Sequence, residues 1–186
     1  MQQCPQAEGQ SVYEHGVSVR THFLQLITYL EEGWLTGWKV PEWLLTYRKE
    51  IRENLLSRDI IMEYTLYHDC GKPYCLTYDE NGKRHFPDHA EKSYQTWLSV
   101  DGDPQVAKLI RLDMVIHTIK ADEIDDFIKH PEAITLLLAG LAEVHANAKM
   151  FGGMDSTSFK IKWSQINKRG KAICQKLFGE RHASVD

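Results

Sequence analysis

Apolar residues recur at three- and four-residue steps along most of this chain, whereas alternation of apolar and polar residues is scarce. In the first such stretch the apolar positions are Val12, Val19, Phe23, Leu26, Ile27 and Leu30. This period is typical of a helix that buries one face. Gly, Pro and Asp interrupt the pattern and predict helices over residues 11–31, 41–55, 59–68, 89–99, 104–119, 121–129, 131–150 and 158–178. The sequence therefore predicts an all-α helical bundle.

One non-helical element is expected between the third and fourth of these helices. Residues 78–84 are polar and contain the pair Asn81-Gly82. This pair is a strong signal for a tight turn between two extended segments. We expect a polar loop or a short hairpin there.

Length and charge narrow the class of protein. With 186 residues, of which 42% are hydrophobic, the chain is expected to fold as one domain. A net charge of -4 argues against a membrane-surface protein or a nucleic-acid coat, so we expect no membrane partner and no stable DNA binding. No apolar run approaches the roughly 18 residues of a membrane span, and residues 1–10 lack the features of a signal peptide. The expected location is cytoplasmic.

His68 and Asp69 are adjacent in the sequence. Gly71 and Pro73 follow them and end the helix predicted over residues 59–68, so the pair lies at a helix end. An imidazole nitrogen and a carboxylate oxygen at neighbouring positions can bind one cation. Five histidines lie in five different predicted helices, and their side chains could converge on the interior of a bundle. They are His15, His68, His89, His117 and His145. A single histidine is more often a core or surface residue, but the placement of these five favours a metal site.

Four segments follow one another in a recognisable order. They are Glu14-His15, His68-Asp69-x-Gly71-Lys72-Pro73, Asp79-Glu80-Asn81-Gly82 and His85-Phe86-x-x-His89-Ala90-Glu91-x-Ser93. Together they resemble the HD-domain superfamily of metal-dependent phosphohydrolases, in particular the HD domain appended to bacterial tRNA nucleotidyltransferases and poly(A) polymerases. The resemblance covers roughly residues 11–149. It implies a single HD-type domain, with a core over about residues 11–150 and a C-terminal helix over 158–178.

The resemblance also implies a set of metal ligands. They are His15, His68, Asp69, His89, His117 and His145. Asp69 would be able to bridge two cations, and His145 stands where the family usually has an aspartate. Because imidazoles dominate this set, the expected cofactor is one or two divalent ions, with Mn, Fe, Co, Ni or Zn favoured over Mg.

The implied reaction is hydrolysis of a phosphate ester. Asp69 and Lys72 are the expected catalytic residues, and Lys72 and Lys149 are the expected contacts to the substrate phosphate. A divalent metal lowers the pKa of bound water from about 15.7 toward about 7, and lysines neutralise charge on the phosphoryl group. The alternative is that both lysines are solvated surface residues.

The expected substrate is a phosphomonoester or phosphodiester of a nucleotide or of an RNA end, including a 2′,3′-cyclic phosphate. Two alternatives stay open. The first is a nucleoside mono- or triphosphate hydrolase. The second is a non-catalytic nucleotide-binding module, in which His145 in place of an aspartate marks a weakened metal site.

Overall fold

The computed structural model describes residues 1–182, and their fold is predominantly α-helical, as the apolar spacing predicts. The helices are α1 Val12–Glu32, α2 Glu42–Thr46, α3 Arg48–Glu53, α4 Arg58–Tyr67, α5 His89–Leu98, α6 Pro104–Leu112, α7 Val115–Thr118, α8 Ile124–Phe127, α9 Ala133–Ala146 and α10 Thr157–His182. The strands are β1 Pro5–Ala7, β2 Gln10–Ser11, β3 Thr77–Tyr78 and β4 Arg84–His85. Short 3₁₀ turns occur at Lys72–Tyr74 and Ala121–Glu123. None of the described helices is both long and apolar enough to cross a membrane.

The chain divides into two compact units. The first unit contains residues 1–21 and 57–114, and the second unit contains residues 22–56 and residues 115 onward. Helix α1 belongs to the first unit up to Thr21 and to the second unit from His22. The single HD-type domain expected from the sequence stays a prediction.

The first unit is built around helix α6, which contacts both α4 and α5. Asp103 begins α6 by accepting a hydrogen bond from the Gln105 amide (2.7 Å), and Pro104 takes the first helical position. Leu109 and Ile110 on this helix are fully buried. Burial of a side chain of this size contributes roughly 2 kcal/mol, so the apolar face of α6 holds the unit together.

A short hairpin lies between α4 and α5 in the first unit. Strands β3 and β4 pair antiparallel on either side of Asn81-Gly82, which confirms the predicted turn. Gly82 has a φ of 72°, a conformation that residues with a side chain rarely adopt. The Asp79 carboxylate accepts hydrogen bonds from the backbone amides of Asn81 and Lys83, both at 2.9 Å. An acidic side chain therefore closes this turn.

Helix α9 forms the core of the second unit. All of its residues except Glu143 and Ala146 are buried, and a helix that is apolar on every face belongs in an interior. Helix α10 packs along α9 and also contacts α2, α7 and α8. A Cβ at Gly170 would lie 2.4 Å from the Trp43 ring, so only glycine lets α10 and α2 approach this closely.

Three stretches depart from the predicted helices. The prediction of one helix over 104–119 is wrong, because Asp113 and Met114 separate α6 from α7. The predicted helix over 41–55 is divided at Tyr47, and the one over 121–129 begins as a 3₁₀ turn. Apolar positions keep their helical spacing across these breaks, so periodicity alone cannot locate them. The hairpin of β1 and β2, before α1, was not expected either.

Candidate metal centre

Three buried side chains of the first unit form a cluster, which we call the His–Asp cluster: His15, His68 and Asp69. Their exposed fractions are 0%, 3% and 1%. His15 lies in the second turn of α1, and the other two follow the last residue of α4 directly. Each side chain offers one ligand atom within 4.8 Å of the others. Within residues 1–182 no second group of three or more His, Cys, Asp or Glu side chains has this spacing.

The start of helix α1 fixes His15. The Ser11 hydroxyl accepts a hydrogen bond from the Glu14 amide (3.2 Å), and the Glu14 carboxylate accepts one from the Ser11 amide (2.7 Å). This reciprocal pair is a capping box, which begins the helix at a defined residue. Its backbone hydrogen bond lowers the pKa of Glu14, so the cap is ionised at neutral pH. His15 follows directly in the sequence.

Gly16 allows α1 to lie against α4. A Cβ at this position would lie 2.2 Å from the Leu66 carbonyl oxygen, closer than any two such atoms can approach. The backbone contact brings the two imidazoles together, with 5.3 Å between the ring centroids of His15 and His68. The cluster therefore depends on a glycine that binds nothing itself.

The Asp69 carboxylate has imidazoles on both of its oxygens. Oδ2 lies 3.3 Å from Nε2 of His68 and 3.8 Å from Nε2 of His15. Oδ1 lies 3.8 Å from Nε2 of His89 on α5, a ring that is partly exposed. The structure thus brings four of the six predicted ligands together, and the two oxygens of Asp69 face different histidines.

Backbone carbonyls set the orientation of two of these rings. Nδ1 of His68 lies 3.0 Å from the Thr65 carbonyl, and Nδ1 of His89 lies 3.1 Å from the Phe86 carbonyl. A carbonyl only accepts, so in the neutral rings the proton is on Nδ1 and the lone pair is on Nε2. Histidine ligands in metal sites are usually held in this way. In this neutral form, Nε2 of each ring could coordinate a metal beside Asp69.

Gly71 and Ser93 connect the His68-Asp69 turn to α5. The Gly71 amide donates to the Ser93 hydroxyl (2.9 Å), and a Cβ on Gly71 would lie 2.3 Å from the Ser93 nitrogen. Ser93 lies one helical turn after His89, so this contact also fixes the start of the helix that carries His89. Gly71 and Ser93 therefore hold the His68-Asp69 turn against the start of α5.

Lys72 lies beside the cluster, three residues after Asp69. Its side chain is buried, and its Nζ is 2.6 Å from Oδ2 of Asp69. Gln6 of strand β1 accepts a second hydrogen bond from Nζ (3.1 Å). The ammonium also lies over the Phe86 ring, 5.1 Å from its centroid. The alternative that Lys72 is a solvated surface residue is therefore wrong.

The charges around Asp69 keep it ionised. Burial by itself raises the pKa of this carboxyl, but its interactions with His68, Lys72 and His15 together outweigh that effect and hold the pKa well below its usual range. The donor set of carboxylate and imidazole suits a borderline transition ion. His15, His68 and Asp69 are the residues that would hold such an ion.

Cys70, next to Asp69 in the sequence, is not one of the side chains of the His–Asp cluster. Burial raises the pKa of its thiol to about 11, so the thiol is protonated at neutral pH. Its Sγ donates to the Ser93 carbonyl at 3.3 Å. The thiol is therefore a packing group, in line with the absence of any Cys-x-x-Cys pair from the sequence.

Three further predicted residues, His117, His145 and Lys149, lie in the second unit. Nε2 of His117 lies 2.8 Å from the Glu143 carboxylate, and Lys149 is an exposed residue after α9. Nδ1 of His145 donates to the Leu141 carbonyl (2.9 Å). A metal ligand role for the two histidines and a phosphate contact for Lys149 stay predictions.

His145 is held on both sides within the second unit. Its Nε2 accepts a hydrogen bond from the Lys39 backbone amide (3.2 Å), and the Trp38 ring stacks on it with 3.9 Å between centroids. Burial lowers the pKa of His145 to about 4. Protonation of His145 at Nε2 would place two N–H donors, that of the ring and that of the Lys39 amide, opposite each other. A metal bound at Nε2 would have to displace that amide.

We expect mild acid to destabilise the protein through His145. The folded pKa of about 4 lies below the ordinary value of 6.5, so the unfolded chain binds more protons between these values. Stability from this group is therefore complete above pH 6.5 and is lost as the pH falls toward 4. At pH 5 the loss amounts to about 2 kcal/mol. The measurement is the free energy of unfolding in urea at pH 7.5 and pH 5.

His145→Gln provides the comparison, because glutamine does not titrate and its amide oxygen can accept from the Lys39 amide. The variant should lose about 2 kcal/mol less than the original protein between the two pH values. An equal loss in both proteins would show that His145 is not held neutral by its surroundings.

Sequence reasoning did not identify Gln6 as a site residue. It lies in a polar segment without a motif, and its partner Lys72 is 66 positions away. Only the hairpin before α1 brings the two together, and no periodic pattern marks so short a pair of strands.

Comparison with known proteins adds no relative: no family model, no curated protein and no solved structure matches this chain. The likeness to the HD-domain superfamily therefore rests on the motif residues, and the geometry of the His–Asp cluster stands beside it as a separate observation.

Proposed function

We propose that this protein is a metal-dependent phosphohydrolase that acts on a phosphate ester of a nucleotide or of an RNA end, including a 2′,3′-cyclic phosphate. The observation that supports this proposal is the buried carboxylate of Asp69, which has imidazoles on both oxygens and an ammonium at 2.6 Å. A divalent metal bound there would supply a Lewis acid and a hydroxide source at neutral pH.

Lys72 gives the site its second property, a fixed positive charge. The ammonium is buried, so its interaction with an anionic phosphoryl group is screened less than that of a surface lysine. It is also held in place by Asp69 and Gln6, so it needs little reorganisation when charge develops on the phosphate. The three imidazoles near Asp69 favour Mn, Fe, Co, Ni or Zn over Mg.

A second candidate function is a non-catalytic nucleotide-binding module. The contact between Lys72 and Asp69 favours it, because the ammonium already neutralises the buried carboxylate without a metal. In that case the Lys72 ammonium would bind the phosphate of a nucleotide, and the nucleotide would not be hydrolysed. A nucleoside mono- or triphosphate hydrolase is the remaining alternative within the enzyme class.

Metal content and turnover, measured on one sample, test these possibilities. We expect the purified protein to bind about one or two transition ions per chain and to release phosphate from one class of substrate. The panel contains nucleoside mono- and triphosphates and 2′,3′-cyclic nucleotides, each with added Mn, Co, Ni or Mg. Protein that binds no metal and is inert under all conditions would contradict the proposal and favour the binding module.

A further inference from the structure

The Lys72 ammonium has three N–H groups, and two have acceptors in the first unit. Asp69 Oδ2 accepts at 2.6 Å and Gln6 Oε1 accepts at 3.1 Å. The face of the Phe86 ring covers another side. Among the described residues, two oxygen atoms therefore accept from the three N–H groups of this ammonium.

The chemistry of the contact fixes which way the Gln6 amide points. An ammonium only donates, so the atom that faces it must be the amide oxygen. The NH₂ group is bonded to the same carbon, so it lies within about 5 Å of the ammonium and offers two donors. Among the described residues nothing accepts a hydrogen bond from this NH₂ group.

The hairpin that carries Gln6 is anchored at both ends. Cys4 is buried, and its carbonyl accepts a hydrogen bond from the Val12 amide (2.8 Å). Strand β2 ends at Ser11, which is also the cap of α1. The start of the helix that positions His15 therefore positions Gln6 as well.

We propose that Gln6 is a phosphate-contacting residue of this site. Its amide oxygen orients Lys72, and its NH₂ group donates to a phosphoryl oxygen of the substrate beside the remaining N–H of Lys72. A group of donors with one positive charge suits a phosphate oxygen. This inference rests on the proposed function and adds to it a contact outside the recognised motif.

Gln6→Glu is the decisive substitution. The new carboxylate still accepts from Lys72, but it replaces both N–H donors with an oxygen that repels phosphate. We expect the dissociation constant for inorganic phosphate, measured by calorimetry on metal-loaded and on metal-stripped protein, to rise at least about tenfold. KM for the substrate should rise by a similar factor, and metal binding should not weaken.

Two further variants distinguish loss of the Gln6 contact from a general effect of added charge and from a loss of folding. Gln10→Glu makes the same charge change on strand β2 of the same hairpin and should leave phosphate binding within about twofold of the original. Gln6→Met keeps the length of the side chain and removes its polar atoms, so it should weaken phosphate binding by about three- to tenfold. Circular dichroism establishes that each variant is folded.

The possible results separate this inference from the proposed function. Unchanged phosphate binding in Gln6→Glu and Gln6→Met, or an equal effect of Gln10→Glu, would overturn the role of Gln6 even if the protein hydrolyses phosphate esters. Absence of phosphate binding in the original protein would overturn it as well. The original protein could also hydrolyse no substrate while the Gln6 variants bind phosphate more weakly. That result would support the contact between Gln6 and phosphate and contradict the proposed phosphohydrolase activity.

Discussion

Asp69→Asn is expected to abolish metal binding and to lower phosphate release by about 10³-fold. Asparagine keeps the shape of the side chain but has no negative charge, and its amide NH₂ cannot coordinate a metal. His15, His68 and His89 would then lack the carboxylate that all three approach. The measurements are bound metal per chain and phosphate release from the best substrate of the panel.

Folding and metal binding must be separated in this variant. Loss of Asp69 leaves the buried Lys72 ammonium without its counter-charge, and breaking such a pair costs about 3–5 kcal/mol. The double variant Asp69→Asn with Lys72→Met removes both charges. It should regain most of the lost stability and still bind no metal.

Asp113→Asn is the matched control. Asp113 is another buried carboxylate of the first unit, it accepts a hydrogen bond from the Tyr64 hydroxyl, and it is not one of the three side chains of the His–Asp cluster. Its replacement should lower stability and leave the metal content unchanged. Retained turnover in Asp69→Asn, or equal metal loss in both variants, would remove the proposed site.

The local part of the site could be predicted from the sequence. His68, Asp69 and Lys72 are held by one helix end and the 3₁₀ turn after it, so their spacing in the sequence largely sets their spacing in the structure. His15 and His89 come from other helices, and motif likeness placed them correctly near Asp69. Gln6 carries no motif, and its contact depends on a hairpin that periodicity does not reveal.

The limits of the fold prediction have a similar cause. Helices with one buried face have a period of about 3.6 residues, so α1, α4 and α5 were expected close to their observed bounds. The break at Asp113 coincides with a hydrogen bond from Tyr64, a partner 49 positions away. The division into two units falls inside helix α1, between Thr21 and His22, where the sequence has no linker. Neither feature is marked by the apolar spacing of the sequence.

Gly16→Ala is expected to lower the free energy of unfolding by about 3 kcal/mol. Alanine normally stabilises a helix relative to glycine by up to about 1 kcal/mol, so the expected effect has the opposite sign. The cause is the Leu66 carbonyl oxygen, which would lie 2.2 Å from the new Cβ and belongs to the backbone of α4. Because neither backbone can yield by a side-chain rotation, α1 must move away from α4. Urea denaturation measures the loss.

Gly179→Ala in α10 is the control, because a Cβ there would meet its nearest neighbour, Gln175, at an ordinary 3.5 Å. It should leave the protein as stable or slightly more stable. Movement of α1 in Gly16→Ala would also draw His15 from Asp69, so the metal affinity of the folded variant should fall by about tenfold or more. A stable Gly16→Ala protein with full metal affinity would show that α1 does not lie against α4 as described. It would also show that His15 reaches the metal by another route or not at all.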